Sequence, residues 1–243
     1  MRLNDFRVLN FDCYGTLIDW ETGIIAALQP LLERSGAKPA EMLEAFARIE
    51  NAQEAATPGM RYPELLAAVH RQLAAELGVS LPAEAHARFG VSVPDWPAFA
   101  DSPEALGYLK NHYQLVILSN VDRKSFAASN ERLGVAFDAV YTAEDIGSYK
   151  PDLANFRYML DRLAARGVAK GDILHTAQSL FHDHVPAQQI GLASAWIDRR
   201  HLAEGSGATA PVQGARYDFR FTSLAEMVRA HQAELETTQA SRM

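Results

Sequence analysis

Two periodicities divide the chain. Short apolar runs of strand length recur along it: Arg7-Val8-Leu9-Asn10-Phe11, Leu115-Val116-Ile117-Leu118, Val140-Tyr141-Thr142, Ile173-Leu174-His175-Thr176 and Ala193-Ser194-Ala195-Trp196-Ile197. Near-continuous apolar character fits strands buried on both faces, as in a parallel sheet. Phe219-Arg220-Phe221 reads as a last edge strand. Helix-like sequence lies between them, over Pro103 to Lys110 and Ala154 to Arg166. Strands alternating with helices predict an α/β fold, a Rossmann-like, doubly wound parallel sheet.

One stretch breaks this alternation. From about residue 21 to 90 the apolar positions recur at helical spacing: Ile24, Ile25, Leu28, Leu31 and Leu32, then Leu43, Phe46 and Ile49, then Leu65, Leu66, Val69, Leu73 and Leu77. Breaks fall at Gly36-Ala37-Lys38-Pro39 and Thr57-Pro58-Gly59, and Val93-Pro94-Asp95-Trp96-Pro97 reads as a return linker. The pattern predicts a helical insertion after the first strand. The expected division is a core of residues 1–15 and 98–233, a helical cap of 16–97, and a polar, frayed tail of 234–243.

Composition narrows the function. The chain is 48% hydrophobic and 22% charged, ordinary for a soluble globular protein, and its net charge of -7 carries no basic run. Nucleic acid and anionic membrane surfaces are therefore not expected partners. Cys13 is the single cysteine, which rules out an internal disulfide and reads as a small buried hydrophobe. No charged-then-apolar leader opens the sequence and no apolar run reaches membrane-spanning length, so a cytoplasmic protein is expected.

Candidate chemistry sits where the strands end. The first runs into Asp12-Cys13-Tyr14-Gly15-Thr16-Leu17, the second into Ser119-Asn120, the third into Ser148-Tyr149-Lys150-Pro151-Asp152, and the fourth into Gln178-Ser179-Leu180-Phe181-His182-Asp183-His184. Open α/β sheets place ligands outside the carboxyl ends of their strands. Each cluster also has a plainer reading: Asp12 as a turn former, Ser119 and Asn120 as helix caps, Lys150 as an exposed loop lysine.

Together, four polar strand ends in this order, with a helical insert after the first, resemble the haloacid dehalogenase superfamily over about residues 5–200. The resemblance implies a Rossmann-like core, a helical cap and a covalent aspartyl intermediate. Asp12 would be the nucleophile, Lys150 would hold it ionised, and Asp183 would position or deprotonate water. Phosphatases of the superfamily carry a second Asp two positions after the nucleophile, where this chain has Tyr14, and a Gly-Asp at the fourth cluster, where it has Ala177-Gln178. Phosphate approaching a carboxylate needs strong charge compensation, normally a divalent ion held by hard oxygen ligands. The Asp-x-Tyr-Gly-Thr-Leu wording is instead similar to the type II L-2-haloacid dehalogenases, which implies a small anionic substrate and neither metal nor other cofactor. A metal-assisted phosphatase and a catalytically idle binding member are the competing readings.

In that subgroup Ser119 would contact the substrate carboxylate and Asn120 the leaving halide. A cap arginine would serve the halide side, with Arg48 as candidate, and Tyr14 and Trp20 would form apolar walls. The chain departs from the pattern at Gln178, Leu180 and Phe156. His182 and His184 flank Asp183 and, in an extended stretch, would share a face opposite it. A homodimer is a further expectation.

Overall fold

A computed structural model describes residues 1–200, 212 and 214–240. After a short 3-10 turn at Leu3–Asp5 the chain enters β1 (Val8–Phe11), all four residues of which are buried. Five helices make up the insertion that follows: α1 (Trp20–Ala27), α2 (Gln29–Ser35), α3 (Pro39–Ala56), α4 (Tyr62–Glu76) and α5 (Ala83–Gly90). Prolines open α3 and α4 at their first turns, where no intrahelical N–H partner is lost. The strand-to-helix alternation then resumes with α6 (Ser102–Leu109), β2 (Gln114–Ser119), α7 (Arg123–Leu133), β3 (Ala139–Thr142), α8 (Ala143–Ile146), α9 (Leu153–Ala164), β4 (Ile173–Ala177), α10 (Val185–Gln189), β5 (Ala193–Ile197), β6 (Phe219–Phe221) and α11 (Leu224–Ala240).

The six strands form one parallel sheet in the order β3-β2-β1-β4-β5-β6. The order reverses direction at β1, so β1 lies between β2 and β4, and Phe11 is in register with both Ile117 and Thr176. This is the switch point at which such sheets open a crevice. The expected doubly wound parallel sheet is therefore observed. Helix α7 had no apolar run to announce it; Asp122 caps it by accepting from the backbone N–H groups of Lys124 and Ser125.

The helical insertion leaves and returns at one place. Ile18 bridges Ala98, the Asp19 N–H donates to Pro97 O, and the Phe99 N–H donates to Leu17 O. Trp96, fully buried, packs on Gly23 of α1, where a Cβ would stand 2.3 Å from the indole Cγ. Helix α11 runs through Ala240 into the expected tail; Glu234 accepts from the N–H groups of Leu3 and Asn4, and the buried His231 pairs with the Tyr108 hydroxyl at 2.9 Å. Residues 241–243 lie outside the described part. No helix of the described residues is long and apolar enough to cross a membrane.

Candidate active site

The carboxyl ends of β1 and β4 and the loop before α9 bring three distant charged side chains into contact. Asp12 follows β1 directly, and Gly15, at φ +89°, turns the chain back so that Thr16 faces it. The Thr16 hydroxyl donates to Asp12 Oδ2 at 2.8 Å and accepts from the Gln178 N–H at 2.9 Å, tying the first loop to the fourth. Lys150 enters from the loop before α9 with its side chain 2% exposed. Its ammonium donates to Asp12 Oδ1 (2.9 Å), Asp183 Oδ1 (2.6 Å) and Leu118 O (3.0 Å). All three donor positions of a lysine are thus used.

Asn120, at the end of β2, fixes that lysine. Its Oδ1 accepts from the Lys150 N–H at 2.7 Å and its Nδ2 donates to Lys150 O at 2.9 Å. The same Nδ2 donates to Glu54 Oε1 at 3.1 Å. Ser119 is 2% exposed and lines the cavity, and its hydroxyl has no hydrogen-bond partner.

Asp183 sits in a π-helical turn, Leu180–His184. Besides Lys150, its Oδ1 accepts from His175 Nε2 at 2.9 Å, and His175 Nδ1 in turn accepts from Asn10 Nδ2 at 2.7 Å. Its Oδ2 is buried without a partner. Burial pushes both aspartates up, and the outcome differs with their neighbours. Asp183, held by Lys150 and His175, stays well below the usual carboxylate range. Asp12, with Lys150 and Thr16 opposing burial and Asp183 adding repulsion, ends above its ordinary value. Burial pulls Lys150 down, but the two carboxylates outweigh it and hold the ammonium above an ordinary lysine. Asp12 is therefore the more basic carboxylate of the pair.

The two histidines around Asp183 do not share a face. In the π-helical turn His182 lines the cavity, donating from Nε2 to Asn51 Oδ1 (2.8 Å) and accepting at Nδ1 from the Ser179 hydroxyl (3.2 Å). His184 is fully buried beneath it, donating to Ala177 O and accepting from the Ser194 hydroxyl, each at 3.0 Å. Burial lowers both to about 4, which leaves them neutral imidazoles.

Above the aspartates lies a small cavity of about 50 Å³, bordered on one side by the inserted helices. Tyr14 and Trp20 line it, Tyr14 being held by the Ser129 hydroxyl at 3.0 Å and set edge-on to Trp96. Arg48 does not reach it. The guanidinium is 61% exposed and pairs with Glu76 of α4 at 2.5 Å, because the buried Met42, Phe46 and Ile49 turn that side of α3 outward. Facing the cavity instead are Glu50 and Glu54 of α3 and Tyr62 of α4. The sequence reading did not single these out, nor Thr16, Asn10 and His175. Phe156 is fully buried, edge-on to the His175 ring, and does not line the cavity.

The donors present do not suit a divalent ion between the aspartates. The Lys150 ammonium already touches both carboxylates there. Gln178, which stands in place of a further carboxylate, offers its backbone carbonyl to Trp196 Nε1 at 2.9 Å. Among the described residues no group of three or more His, Cys, Asp or Glu side chains is arranged to hold a metal.

The site is a lysine-bridged pair of aspartates at the switch point of a parallel α/β sheet, beneath the inserted helices. The chain belongs to the haloacid dehalogenase-like hydrolase family, which matches residues 6–178. It is 25% identical over 214 residues to an (S)-2-haloacid dehalogenase of Pseudomonas putida, covering 83% of this chain and 88% of that one. Its fold is similar to that of an L-2-haloacid dehalogenase of Xanthobacter autotrophicus with chloropropionic acid covalently bound. There the TM-score is 0.78 at 16% identity, over 93% of this chain and 98% of that one. A defluorinating L-2-haloacid dehalogenase shares the fold with a TM-score of 0.77 at 19% identity, over 96% and 99% of the two chains.

Proposed function

We propose that the chain hydrolyses the carbon–halogen bond of a short 2-haloalkanoic acid, without metal, through a covalent ester on Asp12, and that residues 16–97 act as a cap domain over a core of 1–15 and 98–233. The observation that carries this reading is the lysine bridge: one ammonium at 2.9 Å and 2.6 Å compensates two carboxylates where a metal-assisted enzyme would need an ion. Asp12 attacks the halogen-bearing carbon in line, the new C–O bond forms as halide leaves with the C–X electron pair, and an alkyl ester remains. Alignment of the two reactants supplies much of such an acceleration.

Water then attacks the ester's acyl carbon. Asp183 Oδ2, buried and without a hydrogen bond of its own, orients that water and accepts its proton. The hydroxy acid departs, Asp12 is restored, and one proton and one halide leave for each water consumed. Lys150 and His175 hold Asp183 strongly ionised, so its contribution is orientation more than basicity. Ser119 supplies a hydroxyl to the substrate, while Asn120 acts through Lys150 by clamping its backbone.

Single turnover of 2-chloropropionate in heavy-oxygen water, in the presence of EDTA, tests this. Label is expected in Asp12 first and in product only in later turnovers, and Asp12→Asn abolishes halide release. Label in the first product, or phosphate-ester hydrolysis that requires magnesium with organohalides untouched, would refute it.

A further inference from the structure

The inserted helices bring no cation to the cavity, and they bring two acids. Glu50 and Glu54 stand one turn apart on α3, 7% and 6% exposed. Glu50 Oε1 accepts from the Tyr62 hydroxyl at 2.8 Å, and Glu54 Oε1 accepts from Asn120 Nδ2 at 3.1 Å. Among the described residues lining the cavity Lys150 is the one cation, and its contacts are spent on Asp12, Asp183 and Leu118 O. A haloalkanoate would carry one more negative charge into this space. The Ser119 hydroxyl, in the same cavity lining, is buried with no partner, a polar group left open for a ligand.

We propose that Glu50 and Glu54 jointly hold a proton and donate it, with the Ser119 hydroxyl, to the carboxylate of the substrate, so that a carboxylic acid replaces the cation otherwise needed to bind an anion. The proposal rests on the haloacid reading above and specifies how that site holds its substrate. No covalent step is involved: the proton stays on a glutamate oxygen and bridges to a substrate oxygen. Where the pair is ionised in the free protein, one proton is taken from solvent as substrate binds.

Two buried carboxylates on adjoining turns cannot both be charged without compensation. The groups facing them supply little. From α4 comes Tyr62, whose hydroxyl burial keeps protonated. From the π-helical turn comes His182, with Nε2 3.8 Å from Glu54 Oε2, kept neutral by burial. The loop before α9 gives Tyr149 and Lys150, and that ammonium is matched by Asp12 and Asp183 from the strand ends. Burial accordingly holds Glu50 up to about 7. Glu54, buried and beside Glu50, lies well above its ordinary value despite Asn120 and Lys150.

Two measurements on the full chain test this. In calorimetric titration with propionate from about pH 6 to about pH 10, in two buffers of different ionisation enthalpy, proton uptake on binding is expected to rise from near zero toward one as the pair ionises in the free protein. In steady-state kinetics, KM for 2-chloropropionate should rise about tenfold per pH unit above the range where the pair ionises, while KM for the neutral 2-chloropropionamide stays flat. In E50Q/E54Q, where neutral amides replace the acids, KM for the acid should no longer depend on pH. The calorimetry and the acid–amide comparison need no variant, so poor folding of the double variant leaves the test intact. Propionate that does not bind, or binds without proton uptake at any pH in that range, overturns the proposal. So does a pH-independent KM for the acid, or preferential turnover of an ammonium-bearing haloalkane by an ionised pair. Halide release without proton uptake sinks this proposal alone; proton-linked propionate binding with no halide released from any organohalide sinks the Asp12 reaction instead.

Discussion

Lys150→Met removes the cation shared by Asp12 and Asp183 while keeping most of the side-chain volume. The ammonium lies 2.9 Å from one carboxylate and 2.6 Å from the other, in a position 2% exposed to solvent. Removing one partner from a buried ion pair costs about 3–5 kcal/mol, since the remaining charge is left without compensation. Here two carboxylates remain, and they cannot both stay ionised. The proton goes to Asp12, already raised by burial, and Asp183 keeps its bond from His175. Every unit by which Asp12 climbs past the working pH removes about nine-tenths of the ionised nucleophile, about 1.4 kcal/mol. Lost from the ionised nucleophile, about 3–5 kcal/mol corresponds to a fall in kcat/KM of roughly 10²–10⁴-fold near pH 7, with residual activity recovering as pH rises. Stability follows the same proton. A carboxyl raised in the folded state binds its proton more tightly there than in the unfolded chain, so the deficit deepens from about pH 5 to about pH 8. Halide release across that range and thermal unfolding at its two ends check both statements. A variant with near-normal turnover and a pH profile superimposable on the parent's would refute the assignment of Lys150.

Arg48→Ala should leave KM for 2-chloropropionate within about twofold, because its guanidinium is spent on Glu76 at the surface; a tenfold rise would place Arg48 in the binding site after all. Gly23→Ala drives a methyl to 2.3 Å from Trp96 Cγ and should lower stability by about 1–3 kcal/mol, visible as a fall in Tm in a thermal melt. His175→Leu takes one donor from Asp183 and should cut kcat about tenfold while leaving KM within about twofold, since the change falls on the group that orients water and not on substrate binding. A rise in KM with kcat unchanged would show that His175 does not act through Asp183. Glu50→Gln should stabilise the protein more at about pH 8 than at about pH 5: a carboxyl held at about 7 when folded loses stability as pH rises from its ordinary range through that value, and the amide does not. Equal melting shifts at both pH values would contradict it.

Much of this arrangement was legible because a parallel sheet collects the carboxyl ends of its strands on one edge. Asp12, Lys150 and Asp183 are separated by 138 and 33 residues, yet Asp12 and Asp183 follow the buried strands β1 and β4, and Lys150 lies in the loop after β3 and α8 on the same edge of the sheet. The error at Arg48 came from weighing charge above phase. Met42, Phe46 and Ile49 fix the inward stripe of α3, and at about 100° per residue Arg48 falls roughly opposite Phe46, while Glu50 and Glu54 return to its side. Asn10 and His175 also carried a signal, a polar side chain within an otherwise apolar buried strand, which demands a partner across the sheet. The end of α11 carried none, since Glu234 caps N–H groups some 230 residues away. The π-helical turn at Leu180–His184 was equally hidden: alternation assumes an extended backbone, and the turn sends His182 and His184 to separate neighbours.

Asp12 and Asp183 are chemically identical and touch the same ammonium, so their division of labour is set by what else each touches. Asp12 has one hydroxyl donor and the repulsion of Asp183; Asp183 has an imidazole N–H whose tautomer is fixed by Asn10. The first set leaves a carboxylate more basic than usual, and the second leaves one that is strongly ionised and weakly basic. A nucleophile gains from residual basicity, whereas a group that orients water gains from a permanent charge and a free oxygen, which Asp183 Oδ2 provides. The roles follow from neighbours contributed by β1 and β4. Exchanging the two donors between the aspartates, with the lysine untouched, would therefore exchange which carboxylate is suited to attack carbon.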